Sequence, residues 1–297
     1  MLVVHHQVPK LALQTTRSIQ NQQPMLRLAI IYKQFRGHAS HFAHFVCEFI
    51  IPLYAYLRRT GLLALLDAGL EIRIELPSAV RRLQLGRFAA FVHEAFPTLS
   101  FDYVDRFSVP PISIISPLWL NDRTDVEEFT RYLRSRFSIY DSPFGVVLME
   151  RVHGTIGAGP GIPYVQKTGA DRRAIASGFS ELVAAVKAVR KDTLAVALEE
   201  LSFVDQLSVC MAADTLIGQH GAGFAHAHWM LPEGHLIELQ CREHPDCPGF
   251  TCSIARIRQL RHSVVRYPCS RIAGRPIEMA IPDPALVTAL ISTRPCK

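Results

Sequence analysis

Two stretches of alternating strand-like and helix-like residues, parted by a Pro-, Ser- and Ile-rich segment, predict an α/β protein. In the first stretch, residues 26–32 (LRLAIIY) form a continuous apolar run of strand length. Residues 41–59 follow with apolar side chains at helical spacing, and Gly61 supplies a stop. Residues 71–76 (EIRIEL) alternate like a strand and end at Pro77. A helical pattern returns at 80–96, and 100–104 fits another strand. Residues 108–125 are expected to run irregularly over the surface or between domains, ahead of an amphipathic helix at 126–136.

The alternation restarts after Pro143. Residues 145–150 (GVVLME) read as a buried strand, 179–190 as a helix and 194–198 as a strand. A helix at 202–213 opens with a good cap, 215–217 is a short strand, and 235–239 is another after Pro232. The predicted architecture is two Rossmann-like halves facing a central cleft. The expected divisions are a flexible polar tail (1–24), an N-terminal domain (25–140), a C-terminal domain (141–270) and a closing segment (271–297).

Composition narrows the function. A chain of 297 residues can build two modest cores, and 49% hydrophobic with 20% charged residues excludes a disordered protein. The net charge of +6 is spread over separate pairs such as Arg58-Arg59, Arg81-Arg82 and Arg172-Arg173. Scattered arginines suit a small anion such as a diphosphate better than nucleic acid, and they are compatible with peripheral association with a membrane. No run of about 20 apolar residues is present, and residues 1–24 lack the apolar core of a signal peptide, so a cytoplasmic protein is expected. Among seven cysteines, Cys47 and Cys210 sit in apolar runs and read as core residues. Cys241, Cys247 and Cys252 cluster near His244, but the spacing has no CxxC pair, so free thiols are expected rather than a metal site.

The most informative stretch is 213–239, ADTLIGQHGAGFAHAHWMLPEGHLIEL. A short strand runs into Gly218, then a turn holding His220, Gly221, Ala222 and Gly223. Glycines at the end of a parallel strand let backbone N–H groups approach a phosphate, and a following helix start adds partial positive charge. His220 can donate to a phosphate oxygen. The same pattern also fits a plain tight turn. It is neither a dinucleotide fingerprint nor a Walker loop.

Residues 199–239, EELSFVDQLSVCMAADTLIGQHGAGFAHAHWMLPEGHLIEL, resemble the signature block of glycosyltransferase family 61. The matching residues are Glu199 or Glu200, Ser202, Gln206, Asp214, Gly218, His220 to Gly223, Pro232, Gly234 and Glu238. Upstream, Arg151 ends the VLMER strand, and ADRRAIAS supplies Arg172, Arg173 and Ile175, with Ser177 where the family has Asn. In the first half, HFAHFVCEFIIPLY resembles the family's His-aromatic helix and puts His44 and Glu48 one turn apart.

The resemblance implies a GT-B fold with the donor on the C-terminal domain and the acceptor on the N-terminal one. It implies single displacement with inversion, without a metal, from a nucleotide-sugar donor, here a UDP-linked sugar, to a glycan or polysaccharide hydroxyl. No cofactor beyond that co-substrate is expected. Donor contacts fall on Arg151, Arg173, Ser202, Gln206, Gly218, His220, Gly221, Ala222, Gly223 and Glu238. Glu48 is the expected general base, its pKa raised among aromatics, with His44 beside it. Each has a structural alternative: Ser202 as an N-cap, Gln206 as support, Glu238 paired to an arginine, Glu48 as a helix charge. A protein of the same fold that only binds or epimerises a nucleotide sugar is the alternative function.

Overall fold

The computed structural model describes residues 25–35, 37–115, 121–139, 144–150, 179–241, 249–272, 275–279 and 283–292. The first half runs β1 (Met25–Lys33), α1 (Phe42–His44), a π-helical segment (Phe45–Ile50), α2 (Ile51–Arg59), α3 (Leu62–Asp67) and β2 (Glu71–Pro77). It continues with α4 (Phe88–Ala95), β3 (Leu99–Val104), β4 (Pro111–Ile115) and α5 (Arg123–Arg136). Its four strands form a parallel sheet in the order β3-β2-β1-β4.

Three features here depart from expectation. The helix expected at 80–96 is reduced to α4, behind a separate 3-10 turn at Arg81–Leu83. The segment 108–125 contains a strand: Ile112 and Ile114 pair beside Ile30 and Tyr32, and Pro111 takes the first strand position, where its missing N–H does no harm. The helix predicted at 41–59 widens to π geometry over Phe45–Ile50. Pro52 has no N–H to give, and its ring would crowd the carbonyl of Glu48 four residues back. The wider turn just before it relieves that conflict.

The second half runs β5 (Val146–Met149), α6 (Phe179–Val189), β6 (Thr193–Val196), α7 (Phe203–Ala212), β7 (Thr215–Gln219) and a 3-10 helix (Ala222–Trp229). Then come β8 (His235–Cys241), α8 (Phe250–Arg258), β9 (Arg261–Tyr267), the strands β10 (Cys269–Ile272) and β11 (Arg275–Met279), and α9 (Pro284–Ser292). A five-stranded parallel sheet has the order β6-β5-β7-β8-β9, and β10 and β11 pair antiparallel. The protein is therefore α/β with two parallel sheets.

Alternation along β5 sorts the core. Val146 and Leu148 join Leu182 and Val186 of α6 and Val287 and Ile291 of α9 on one face. Val147 and Met149 face the other way, into a larger cluster that also contains the first sheet and α2, α4 and α5. This cluster crosses between the sheets. Phe129 on α5 meets Trp229 edge-on at 5.7 Å, Phe42 packs on His226 at 4.3 Å, and Phe203 packs on Phe91 at 4.0 Å. Arg258 donates to the Met230 carbonyl at 2.5 Å, and Arg134 to that of Met211 at 3.1 Å. Trp229 and Met230 are core residues. No helix among the described residues is long and apolar enough to cross a membrane.

A shared core predicts shared unfolding. Phe129→Ala should destabilise by about 3–5 kcal/mol. In urea, tryptophan fluorescence and far-ultraviolet circular dichroism should still report one coincident transition. Separated transitions would show that the two sheets unfold on their own.

Candidate functional site

In the second sheet the chain moves outward from β5 to β6 and then returns to place β7 on the other side of β5. Such a reversal opens a crevice at the carboxyl ends of the strands, where open α/β sheets bind ligands. The glycine turn leaves the carboxyl end of β7 at that point. Gly221 has φ 153°, a region that side-chain-bearing residues adopt rarely. A Cβ on Gly218 would sit 2.5 Å from Met149 Cε, and one on Gly223 3.3 Å from Met149 Sδ. Both glycines lie close against the Met149 side chain, at the end of the neighbouring strand.

His220 follows β7 directly, and its backbone N–H continues the ladder to the Leu239 carbonyl at 3.0 Å. Its Nδ1 bonds Glu238 Oε1. Glu238 lies on β8 beside Gly218 and is 3% exposed. Its other oxygen, Oε2, is 2.8 Å from His262 Nε2 on β9, and Thr251 Oγ1 approaches Oε1 at 3.4 Å. Burial by itself would raise the Glu238 carboxyl, but the hydrogen bonds from His220 and His262 outweigh it and draw it down to about 2. An ionised carboxylate only accepts. The proton therefore sits on Nδ1 of His220 and Nε2 of His262.

The first sheet reverses between β1 and β4, and a second histidine–carboxylate pair follows β1. His44 Nδ1 is 2.9 Å from Glu48 Oε1, and the Gly37 N–H donates to Glu48 Oε2 at 3.3 Å. Glu48 is fully buried, whereas the His44 side chain is 24% exposed. The accessible member of the pair is His44, and Glu48 orients it from behind. Gly37 is packed under the His44 ring: a Cβ there would come within 2.0–2.2 Å of three ring atoms. α1, which carries His44, packs against the 3-10 helix that starts at Ala222, so both pairs border the seam between the sheets.

The other expected residues take supporting places. Ser202 is exposed and caps α7, accepting from the Asp205 N–H at 3.1 Å. Gln206 donates to the Leu201 carbonyl at 3.0 Å, bracing the turn before α7. Glu238 spends its oxygens on histidines rather than on an arginine. Arg151, Arg172, Arg173, Ile175, Ser177, His244 and Cys247 lie outside the described residues. Cys47 and Cys210 are buried in the core, and Cys252 is exposed on α8. Among the described residues no group of three or more His, Cys, Asp or Glu is arranged to hold a metal ion.

Sequence reasoning did not single out Gly37, Met149 or His262. Gly37 and Met149 act by shape against a residue distant in the chain. His262 opens a strand with no strong apolar run, and only its alignment beside β8 brings it to Glu238.

Comparison with known proteins agrees with this picture. A sequence profile of the family described as Glycosyltransferase 61 matches residues 42–237. The "EGF domain-specific O-linked N-acetylglucosamine transferase" of Drosophila melanogaster is 36% identical over 83 residues. Those residues are 28% of this chain and 15% of the fly protein.

The Glu238 site has a pH signature. With its carboxyl at about 2 in the folded state, against roughly 4.3 in an unfolded chain, Glu238 adds stability that is complete above the unfolded value. That stability is lost as pH falls through the folded value. Glu238→Gln should be less stable at neutral pH and should show a shallower loss between those two values. Parallel stability curves for the two proteins over that range would contradict the assignment.

Proposed function

Because the chain belongs to glycosyltransferase family 61, we propose that it transfers a sugar, with inversion, from a UDP-linked donor to a glycan or polysaccharide hydroxyl. The observation that carries this reading is the His220–Glu238 pair beside the glycine turn at the strand-order reversal of the second sheet. On this reading the two parallel sheets belong to two Rossmann-like units in a GT-B arrangement, with the donor on the second and the acceptor on the first.

The residues divide the work as follows. The donor diphosphate lies at the carboxyl edge of β7, where the N–H groups at the start of the 3-10 helix meet its oxygens. The acceptor oxygen attacks the anomeric carbon from the face opposite the diphosphate. A new C–O bond forms as the bond to the diphosphate oxygen breaks, and the electron pair leaves with the diphosphate. The hydroxyl proton passes to His44 Nε2, while Glu48 holds Nδ1 and favours the imidazolium that results. His220 meets the charge growing on the leaving group from its Nε2, and the Glu238 carboxylate supports it as an imidazolium. Arg151 and Arg173 are proposed to add charge around the diphosphate, and transfer is proposed to need no metal. The N-acetylglucosamine in the name of the fly protein makes UDP-N-acetylglucosamine the first donor to try.

The test separates binding from chemistry. UDP should raise the melting temperature of the wild type with or without a chelator, and His220→Ala should lose that shift. His44→Ala should keep the shift and lose about 10²–10⁴-fold in transfer rate. With UDP-N-acetylglucosamine and an acceptor, proton NMR should show the product's anomeric centre inverted. No shift by UDP at millimolar concentration would sink the donor assignment, and donor turnover without an acceptor would favour an epimerase-like reaction.

A further inference from the structure

The contact behind Glu238 reaches further than the proposed chemistry. His262 lies beyond residues 42–237, the stretch that matches the family, and it touches none of the glycine turn in the register of the sheet. We propose that His262 is a positioning residue of the donor site, acting through Glu238 on His220.

Three neighbouring parallel strands build the line. His220 follows β7, Glu238 sits in the middle of β8, and His262 is the second residue of β9. Gly218 pairs with Glu238, Glu238 with Val264, and Leu236 with His262. His262 and Val264 share a face because strand side chains alternate, so His262 reaches Glu238 diagonally across one face of the sheet. Its distance of 2.8 Å is that of a charge-assisted hydrogen bond.

A carboxylate can rotate about its last carbon–carbon bond. One anchor on each oxygen stops that rotation and fixes the plane in which Oε1 meets His220 Nδ1. Thr251, at 3.4 Å and on the same oxygen as His220, cannot replace the anchor on Oε2. Without His262, a buried oxygen loses its short donor, and the carboxylate must turn or take up a proton. Either change removes the fixed acceptor that keeps the His220 proton on Nδ1. The far nitrogen of His262 is itself engaged: Cys252 Sγ on α8 lies 3.4 Å from Nδ1. The thiol can donate there, which agrees with the His262 proton being on Nε2.

The consequence for ligand binding rests on the donor-site reading, but the effect on His220 does not. The experiment therefore has two readouts on the full chain. In His262→Phe, nitrogen-15 NMR of the unliganded protein at about pH 8, where unperturbed imidazoles are neutral, should show His220 shifting from the Nδ1–H tautomer to a mixture. UDP affinity should fall about tenfold, the scale of one charge-assisted hydrogen bond. His262→Gln, whose amide N–H can stand near the lost Nε2–H, should restore both. If His262→Phe does not fold, His262→Asn takes its place, polar but too short to reach Oε2.

Unchanged His220 resonances and UDP affinity, with only a lower melting temperature, would reduce His262 to a strand contact and overturn the proposal. If UDP fails to bind the wild type, the donor reading falls by itself, and the His220 tautomer still decides the role of His262.

Discussion

The 3-10 helix from Ala222 to Trp229 is the wall that both halves of the molecule share, and the candidate site depends on its packing. Phe224, Ala225, His226, Ala227, His228 and Trp229 are all buried. Phe42 of α1 lies on His226, Phe129 of α5 meets Trp229, and the Thr130 hydroxyl reaches the His228 carbonyl at 3.4 Å. Because the glycine turn flows straight into this helix, whatever fixes the helix also fixes where His220 emerges. The two buried imidazoles fit that task. Burial first, and then the neighbouring His228, draw His226 down to about 3. Burial draws His228 down to about 4 despite the Ala225 carbonyl that its ring bonds. Both are therefore neutral at physiological pH and pack as flat aromatic surfaces.

Two carboxylates buried almost completely, each gripping a histidine, are expensive features for a protein to keep. Replacing such groups by apolar residues is often neutral or stabilising, whereas removing one partner leaves a stranded charge. Their placement is also alike: each pair has its histidine on the segment that follows a strand bordering its sheet's point of reversed order, β1 in one case and β7 in the other. Buried charges that sit where α/β sheets bind ligands point to chemistry as well as to folding.

Much of this was legible in the amino-acid sequence, and the limits have physical causes. Central parallel strands are apolar on both faces, so runs such as VVLM and LRLAIIY announce themselves. The edge strand β4 does not, because Pro111 and Ser113 break its pattern and only Ile112 and Ile114 pack inward. The pairing of His44 with Glu48 followed from helical spacing and survives the π-helical segment, since both lie on one continuous helical run. Their order of accessibility did not follow. That depends on Gly37 lying beneath the histidine ring, a contact between segments with no common periodicity. His220 and Glu238 could be named from the resemblance, but their mutual bond and the third member, His262, depend on strand alignment, which no local pattern encodes.

The glycines of the turn carry a different lesson. Gly218 and Gly223 pack close against the Met149 side chain, and Gly221 takes a backbone angle that favours glycine. These are properties of the fold itself. A descendant that had lost every trace of transfer would still favour glycine at Gly221, because the fold sets that backbone angle. On the proposed reading, loss of function in such a lineage would be written instead at His220, Glu238 and His44, beneath an intact and misleading signature.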